Sequence, residues 1–177
     1  MIHLIIGGAR SGKSSFALQQ ANQRAAVLGY HKQFVATATP FDAEMQARIE
    51  RHQQERGADW SLAEVPLQLA EHLVTANAGS VLLIDCLTLW LNNRLYLWPD
   101  ADFEQLSDPL LSALASCPAD VLLIANEVGL GVIPMGEETR RFVDYAGWLN
   151  QAVARLADQV TLVSAGLPLV LKPMAHQ

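Results

Sequence analysis

The sequence has few of the residues that mark secreted, membrane-spanning or metal-cluster proteins. It contains two cysteines, Cys86 and Cys117, and neither belongs to a CxxC pair of the kind that binds zinc or runs thiol redox chemistry. We expect both to be reduced, buried thiols. The apolar run Leu4–Ile6 is too short for a signal-peptide core, and the longest apolar stretch, Val81–Leu91, contains Asp85 and is too short to span a membrane. These absences predict a soluble cytoplasmic protein.

Positive charge is also scarce. Twelve Lys and Arg stand against 18 Asp and Glu, which gives a net charge of −6. Because nucleic-acid surfaces depend on clustered Lys and Arg, this balance argues against a nucleic-acid partner. It leaves room for a small anion held by backbone N–H groups and a few placed cations. The apolar fraction of 51% argues against disorder, and 177 residues suit a single domain over 1–177 with a sizeable core.

Short apolar blocks alternate with helix-compatible segments along the chain. Several blocks are near-continuous runs of Val, Leu and Ile, which is typical of parallel strands buried on both faces. The segments between them are long enough for the crossover helices that parallel strands require, so the pattern predicts an open α/β sheet. We expect Pro99–Asp108 to be a surface loop. The predicted strands are His3–Ile6, Gln33–Ala36, Val81–Ile84, Val121–Ala125, Val160–Ser164 and a C-terminal edge strand Leu167–Lys172, and the predicted helices include Ser14–Leu28, Ala43–Arg56 and Thr139–Ala157.

One motif carries specific chemistry. The segment GGARSGKS matches the phosphate-loop pattern GxxxxGK[ST], between an apolar strand and a helix, as that motif requires. Its glycines let backbone N–H groups point at phosphate oxygens, and the following helix presents its positive dipole end. Lys13 is placed to reach the terminal phosphates and Ser14 to ligate Mg²⁺. The motif predicts nucleoside triphosphate binding, and it leaves the reaction open. Its residues are Gly7, Gly8, Ala9, Arg10, Ser11, Gly12, Lys13 and Ser14.

Acidic residues follow two of the predicted strands. Asp85 ends the block Val81–Ile84, so it should face the crevice where parallel sheets bind ligands, and we expect it to hold Mg²⁺ or its water shell. Asn126 and Glu127 follow the next block in the same way. That pair suits contact with substrate or metal, and it equally suits a structural turn before Gly129.

A predicted helix carries a histidine among arginines. Met45, Ile49 and His52 fall at i, i+4 and i+7, so His52 shares the apolar face. Arg48 and Arg56 lie four residues to either side of it, a setting that suits a phosphate-bearing electrophile. Neutral imidazole is a nucleophile toward phosphorus, yet the pattern alone favours a half-buried structural histidine with solvated arginines.

Taken together, these motifs resemble one family: the bifunctional adenosylcobinamide kinase / adenosylcobinamide-phosphate guanylyltransferases of cobalamin biosynthesis. The resemblance runs from Ile5 to about Pro168, and several of its motifs are specific to the family, whereas the phosphate loop is generic. They comprise the phosphate loop, Arg48-Ile49-x-x-His52 with Arg56, Trp60 and Glu64, Asp85-Cys86-Leu87-Thr88 with Trp90 and Asn93, Asn126-Glu127-Val128-Gly129 with Gly131 and Pro134, Arg141-Phe142-x-Asp144 with Gly147, Asn150 and Gln151, Ala157-Asp158, and Ser164-x-Gly166-Leu167-Pro168.

The resemblance implies two activities and a RecA-type P-loop fold. The first is phosphorylation of adenosylcobinamide by a nucleoside triphosphate, ATP or GTP. The second is transfer of GMP from GTP to adenosylcobinamide-phosphate through a guanylylated histidine, here His52. It also implies Mg²⁺, no tightly bound organic cofactor, and a homotrimer. Nucleotide contacts are implied at the phosphate loop and at Ala36, Thr37, Ala38, Gln53, Gln54, Glu55, Arg56, Glu64 and Asp85.

Other classes fit the sequence less well. A small P-loop metabolite kinase usually has an Arg-rich lid, and this sequence shows none; a regulatory GTPase would carry the base-reading NKxD, which the sequence lacks. A degenerate assembly partner is disfavoured by the presence of Lys13, Ser14, His52 and Asp85. One position departs from the family pattern: the residue after the histidine, often basic, is Gln53.

Overall fold

The computed structural model describes residues 1–38 and 59–173. These residues form seven strands and five helices. In chain order they are β1 (Ile2–Gly7), α1 (Lys13–Leu28), β2 (His31–Ala36), β3 (Trp60–Glu64), α2 (Leu69–Val74), β4 (Ser80–Asp85), α3 (Leu87–Leu97), α4 (Phe103–Ser116), β5 (Asp120–Asn126), α5 (Glu137–Leu156), β6 (Gln159–Ser164) and β7 (Leu167–Lys172).

The strands form one sheet in the order β3-β2-β4-β5-β1-β6-β7. Six strands run parallel, and β7 alone pairs antiparallel, with β6. The β6–β7 turn holds Ala165 and Gly166 at φ 52° and 78°, the two positive values that a type I′ hairpin turn requires. Because β1 lies near the middle of the sheet, the loop that follows it opens onto the crevice at the carboxyl edge.

Apolar side chains cover both faces of the central strands. On one face Ala17, Ala21 and Ala25 of α1 pack against a cluster that includes Leu83 and Ile124. The other face is covered by residues of α2, α3, α4 and α5 around Leu4, Leu82 and Leu123. Neighbouring residues of a strand point to opposite faces, so a continuous apolar block serves both clusters. This explains the near-continuous Val, Leu and Ile runs of the sequence.

The predicted α/β sheet is confirmed, including the edge strand Leu167–Lys172 and the helices after β1 and β5. The surface loop predicted at Pro99–Asp108 is wrong over its second half, because α4 begins at Phe103. Gln105 Oε1 accepts a hydrogen bond from the Asp102 N–H at 3.1 Å, which caps the helix start. The predicted helix Ala43–Arg56 lies outside the described residues.

Further findings bear on expectations about compartment and cysteine. Within the described part of the chain, no helix has both the length and the apolar character needed to cross a membrane. Cys86 and Cys117 are both free; Cys86 is buried, whereas Cys117 is only partly so. The prediction of unpaired thiols is therefore confirmed, and that of full burial holds for Cys86 alone.

Candidate active site at the phosphate loop

The loop between β1 and α1 has the backbone of a phosphate cradle. Gly12 caps the start of α1 with φ 93°, and Arg10 also has positive φ, at 56°. Lys13, the first residue of α1, is only 8% exposed, and its ammonium donates to the Gly8 carbonyl at 3.0 Å. The ammonium thus lies along the inner side of the loop, within reach of a phosphate held there. The loop residues predicted from the sequence run from the last residue of β1 to the first turn of α1.

The β6–β7 turn supports the loop from behind. The Gly166 N–H donates to the Ser11 carbonyl at 2.8 Å, and a Cβ on Gly7 would lie 2.4 Å from the Val163 carbonyl oxygen. Gly7 is therefore required for close approach, independently of any ligand. Ser11 Oγ is buried and has no hydrogen-bond partner among the described residues. An orphaned hydroxyl inside a phosphate loop is the kind of group that a bound phosphate oxygen satisfies.

Ser14 and Asp85 come from distant parts of the chain and meet beside the loop. Asp85 is the last residue of β4, and its Oδ2 accepts a hydrogen bond from Ser14 Oγ at 3.5 Å. Mg²⁺ in nucleotide sites takes one or two protein oxygens and completes its shell with phosphate and water. No three His, Cys, Asp or Glu side chains within residues 1–38 and 59–173 form a metal cage. A hydroxyl and a carboxylate at this separation fit Mg²⁺ held together with a triphosphate.

The next residue, Cys86, adds no charge to this donor set. Burial, reinforced by the negative charge of Asp85, raises the pKa of the Cys86 thiol to about 12. The thiol stays neutral at physiological pH, so the oxygen atoms of Ser14 and Asp85 define the site.

Three predicted nucleotide contacts share one level of the carboxyl edge. Ala36 at the end of β2 is in register with both Asp85 of β4 and Glu64 of β3. Glu64 is exposed, and its strand lies four places from β1, about 20 Å at the usual spacing of strands. Glu64 therefore lies well away from the phosphate loop along the same edge of the sheet. The predicted residues His52, Gln53, Gln54, Glu55 and Arg56 lie outside the described residues.

Ala38 and Thr37 follow β2 directly. Ala38 is partly buried, whereas Thr37 is completely buried and its hydroxyl is bonded to the backbone of Cys86. Any contact of Thr37 with nucleotide would therefore have to come from its backbone.

Asn126 is the last residue of β5, and Glu127 follows it at the approach to the turn at Gly129. The Glu127 N–H donates to the Gly7 carbonyl at 3.1 Å, and Glu127 Oε1 accepts from the Gly129 N–H at 3.1 Å. The Asn126 N–H donates to Thr88 Oγ1 at 2.7 Å. Of the two interpretations left open by the sequence, these contacts favour the structural turn, which ties the end of β5 to the start of the phosphate loop.

The contacts of α3 are not predicted by the sequence. Its buried polar side chains bond to backbone at or beyond the ends of three strands. Thr88 Oγ1 accepts from the N–H of Asn126 at the end of β5, Trp90 Nε1 donates to the Leu67 carbonyl beyond β3 at 2.9 Å, and Asn93 Nδ2 donates to the Thr37 carbonyl after β2 at 2.8 Å. The sequence signals are the place of these residues in the family motif and the presence of polar residues within the apolar run LTLWLNN. Such residues need partners when buried, and only the fold shows which.

The comparisons with known proteins agree with this geometry. Residues 3–171 match the family model described as cobinamide kinase / cobinamide phosphate guanyltransferase. The chain is 46% identical over 173 residues to the bifunctional adenosylcobalamin biosynthesis protein CobP of Pseudomonas aeruginosa, covering 97% of this chain and 98% of that protein. It is 36% identical to the corresponding CobU protein of Salmonella typhimurium, covering 97% and 100%.

A solved structure, the ATPase domain of G40P, supports the fold alone. It superposes with a TM-score of 0.53 at 14% identity, covering 91% of this chain and 68% of that one. The predicted RecA-type P-loop fold is thereby confirmed. On the full-length match of its sequence, the chain belongs to the cobinamide kinase / cobinamide phosphate guanyltransferase family.

Proposed function

We propose that a single nucleotide site at the carboxyl edge of the sheet serves both reactions of this bifunctional enzyme. In the first, the hydroxyl of adenosylcobinamide takes the terminal phosphoryl group of ATP or GTP. In the second, GMP passes from GTP to adenosylcobinamide-phosphate and pyrophosphate leaves. The observation that carries the proposal is the meeting of Ser14 and Asp85, 3.5 Å apart, beside the buried Lys13.

The phosphate loop has the same task in both reactions. The Lys13 ammonium and the backbone N–H groups of the loop hold the β- and γ-phosphates and stabilise the charge that develops on the leaving group. Ser14 and Asp85 would hold Mg²⁺, which would supply further neutralisation of that charge. Phosphoryl transfer needs only positioning and charge stabilisation, so these groups suffice for the kinase half.

The transferase half needs a nucleophile, which we assign to His52. An imidazole nitrogen of His52 forms a bond to the α-phosphorus of GTP while the bond from that phosphorus to the bridging oxygen breaks, and pyrophosphate departs. A phosphate oxygen of adenosylcobinamide-phosphate then displaces the imidazole. Support comes from the family motif and from the arginines at positions 48, 51 and 56. Because the attacking imidazole must be neutral, transfer should decline below the ordinary histidine pKa of about 6.5.

The test is covalent labelling with α-³²P-GTP. Wild-type protein should retain an acid-labile label, and His52→Ala should retain none while still phosphorylating cobinamide. Lys13→Ala should damage both reactions. The matched control is His31→Ala. It removes an exposed histidine at the amino end of β2, the end away from the proposed nucleotide site. A labelled His52→Ala protein would refute the assignment, and wild-type protein that transfers GMP without ever becoming labelled would refute the covalent route.

We also propose a homotrimer and a cytoplasmic location. An oligomer is supported by β7, an edge strand with four exposed apolar residues: Leu167, Leu169, Val170 and Leu171. Exposed apolar edge strands favour association and are usually covered. The location is supported by the two unpaired thiols, which suit a reducing compartment.

A further inference from the structure

The Thr37 hydroxyl is both a hydrogen-bond donor and a hydrogen-bond acceptor to the protein backbone. It donates to the Cys86 carbonyl at 2.7 Å and accepts from the Cys86 N–H at 2.7 Å, while the Thr37 N–H donates to the Asp85 carbonyl at 3.1 Å. Thr37 is completely buried. Thr37, the residue that follows β2, therefore binds the backbone on both sides of the Asp85–Cys86 peptide bond, at the end of β4.

Asn93 secures Thr37 from the other side. Its side-chain amide donates to the Thr37 carbonyl at 2.8 Å and to the Pro66 carbonyl at 3.2 Å, so both amide hydrogens are used. Asn93 is 8% exposed and lies on α3, the helix that begins directly after Cys86. Thr37 therefore holds the end of β4, and α3, the helix that follows β4, holds Thr37 in turn through Asn93.

We propose that Thr37 and Asn93 are positioning residues that fix the Asp85 carboxylate opposite Ser14. Thr37 holds the peptide groups that carry the carboxylate, and Asn93 holds Thr37. Groups that orient a metal ligand tune metal affinity without binding the metal. The inference rests on the proposed function, in which Asp85 holds Mg²⁺ together with the triphosphate. It also separates Thr37 from the residues whose side chains would contact nucleotide.

The experiment compares GTP affinity in excess Mg²⁺ with affinity in EDTA, measured by calorimetry. Thr37→Val keeps the shape of the side chain and removes the hydroxyl. We expect it to weaken Mg²⁺-dependent binding by about tenfold or more, in the range found for residues behind metal ligands, and to weaken binding in EDTA much less. Thr37→Ser restores the hydroxyl and should recover most of the Mg²⁺ effect. Asn93→Ala should shift Mg²⁺ dependence in the same direction, and it tests the inference if Thr37→Val fails to fold.

Thr161→Val is the matched control. Thr161 lies in β6, away from the carboxyl edge, and is also completely buried. Its hydroxyl bonds to the ring of His3 in β1 at 2.9 Å. It should lose thermal stability and keep wild-type Mg²⁺ dependence. If Thr37→Val and Asn93→Ala behave like Thr161→Val, the positioning role is wrong. If wild-type protein binds GTP equally well with and without Mg²⁺, the metal role of Asp85 in the proposed function fails, and this inference fails with it.

Discussion

His3 is a histidine whose chemistry belongs to the core rather than to the site. It lies in β1, is 2% exposed, bonds to the Thr161 hydroxyl at 2.9 Å and meets the Phe16 ring edge-on. Burial lowers its pKa from 6.5 to about 4. The folded protein therefore keeps His3 neutral over a pH range in which the unfolded chain protonates it.

This difference predicts an acid-sensitive stability. Between pH 6.5 and about 4 the unfolded chain binds a proton at His3 that the folded chain does not, so the free energy of unfolding should fall as pH is lowered. The contribution of His3 amounts to as much as ~3 kcal/mol across that window. Urea unfolding of wild type and His3→Gln at several pH values measures it, and the variant should show the shallower dependence.

Two other groups, His72 and Asp120, also contribute to the pH dependence of stability. Burial also lowers the pKa of His72, so His72→Gln should remove a further part of the slope below pH 6.5. Burial acts to raise the pKa of Asp120, but hydrogen bonds from Arg24 and the N-terminus lower it overall, so the stability that Asp120 contributes is lost as pH falls below its ordinary value of 3.8. A His3→Gln protein with the wild-type slope would show that His3 is not held neutral.

The phosphate loop is the element most constrained by its neighbours. Gly7 faces the Val163 carbonyl oxygen, and that atom belongs to backbone in the β6–β7 hairpin, so it has little freedom to move. Gly7→Ala should push the loop away from the hairpin. We expect GTP affinity to fall at least tenfold and the free energy of unfolding to drop by about 1–3 kcal/mol, as for other substitutions that overpack a close contact.

The control is another glycine-to-alanine change in the same fold. Gly147 lies inside α5, and a Cβ added there would meet nothing within 4 Å beyond its chain neighbours and the backbone of its own helix. Gly147→Ala should raise the free energy of unfolding by up to ~1 kcal/mol, because alanine favours the helix, and GTP affinity should stay unchanged. Equal GTP affinity in Gly7→Ala and wild type would show that the hairpin does not fix the loop.

At the level of elements, the sequence identifies the strands that consist of continuous apolar runs. Strands β4 and β5 are buried on both faces, so their Val, Leu and Ile runs identify them. Strand β3 is half-exposed at the sheet edge, and its sequence WSLAE has no such run. Pro109 is typical of a helix breaker, yet α4 runs through it, because Phe103 packs against Tyr145 and Trp148 and the helix buries Leu110 and Leu114. Tertiary packing decided both cases.

At the level of the whole molecule, local motifs predict the site better than they predict its supports. The loop, Asp85 and their shared crevice follow from the motif and from the rule that parallel strands end at one edge. Thr37, Asn93 and the hairpin behind Gly7 act through backbone contacts between segments more than 40 residues apart. No local pattern encodes such pairings, which depend on the order of strands in the sheet.

The exposed β7 strand makes the oligomer testable. If the proposed homotrimer is correct, wild-type protein should sediment at about three times the 19.3 kDa of one chain. Leu169 is 58% exposed on β7, and placing a charge there should oppose its burial against a second copy. We therefore expect Leu169→Lys to dissociate the assembly in analytical ultracentrifugation.

A second exposed apolar segment supplies the control and the contrary outcome. Met135, 97% exposed, lies in the loop between β5 and α5 at the carboxyl edge, the same edge as the proposed nucleotide site. Met135→Lys should leave the trimer intact. Dissociation by Met135→Lys alone would show that the interface lies at the carboxyl edge rather than at β7. A monomeric wild-type protein would show that the proposed homotrimer is wrong. Because the two substitutions introduce the same charge, the comparison isolates the surface that copies of the chain share.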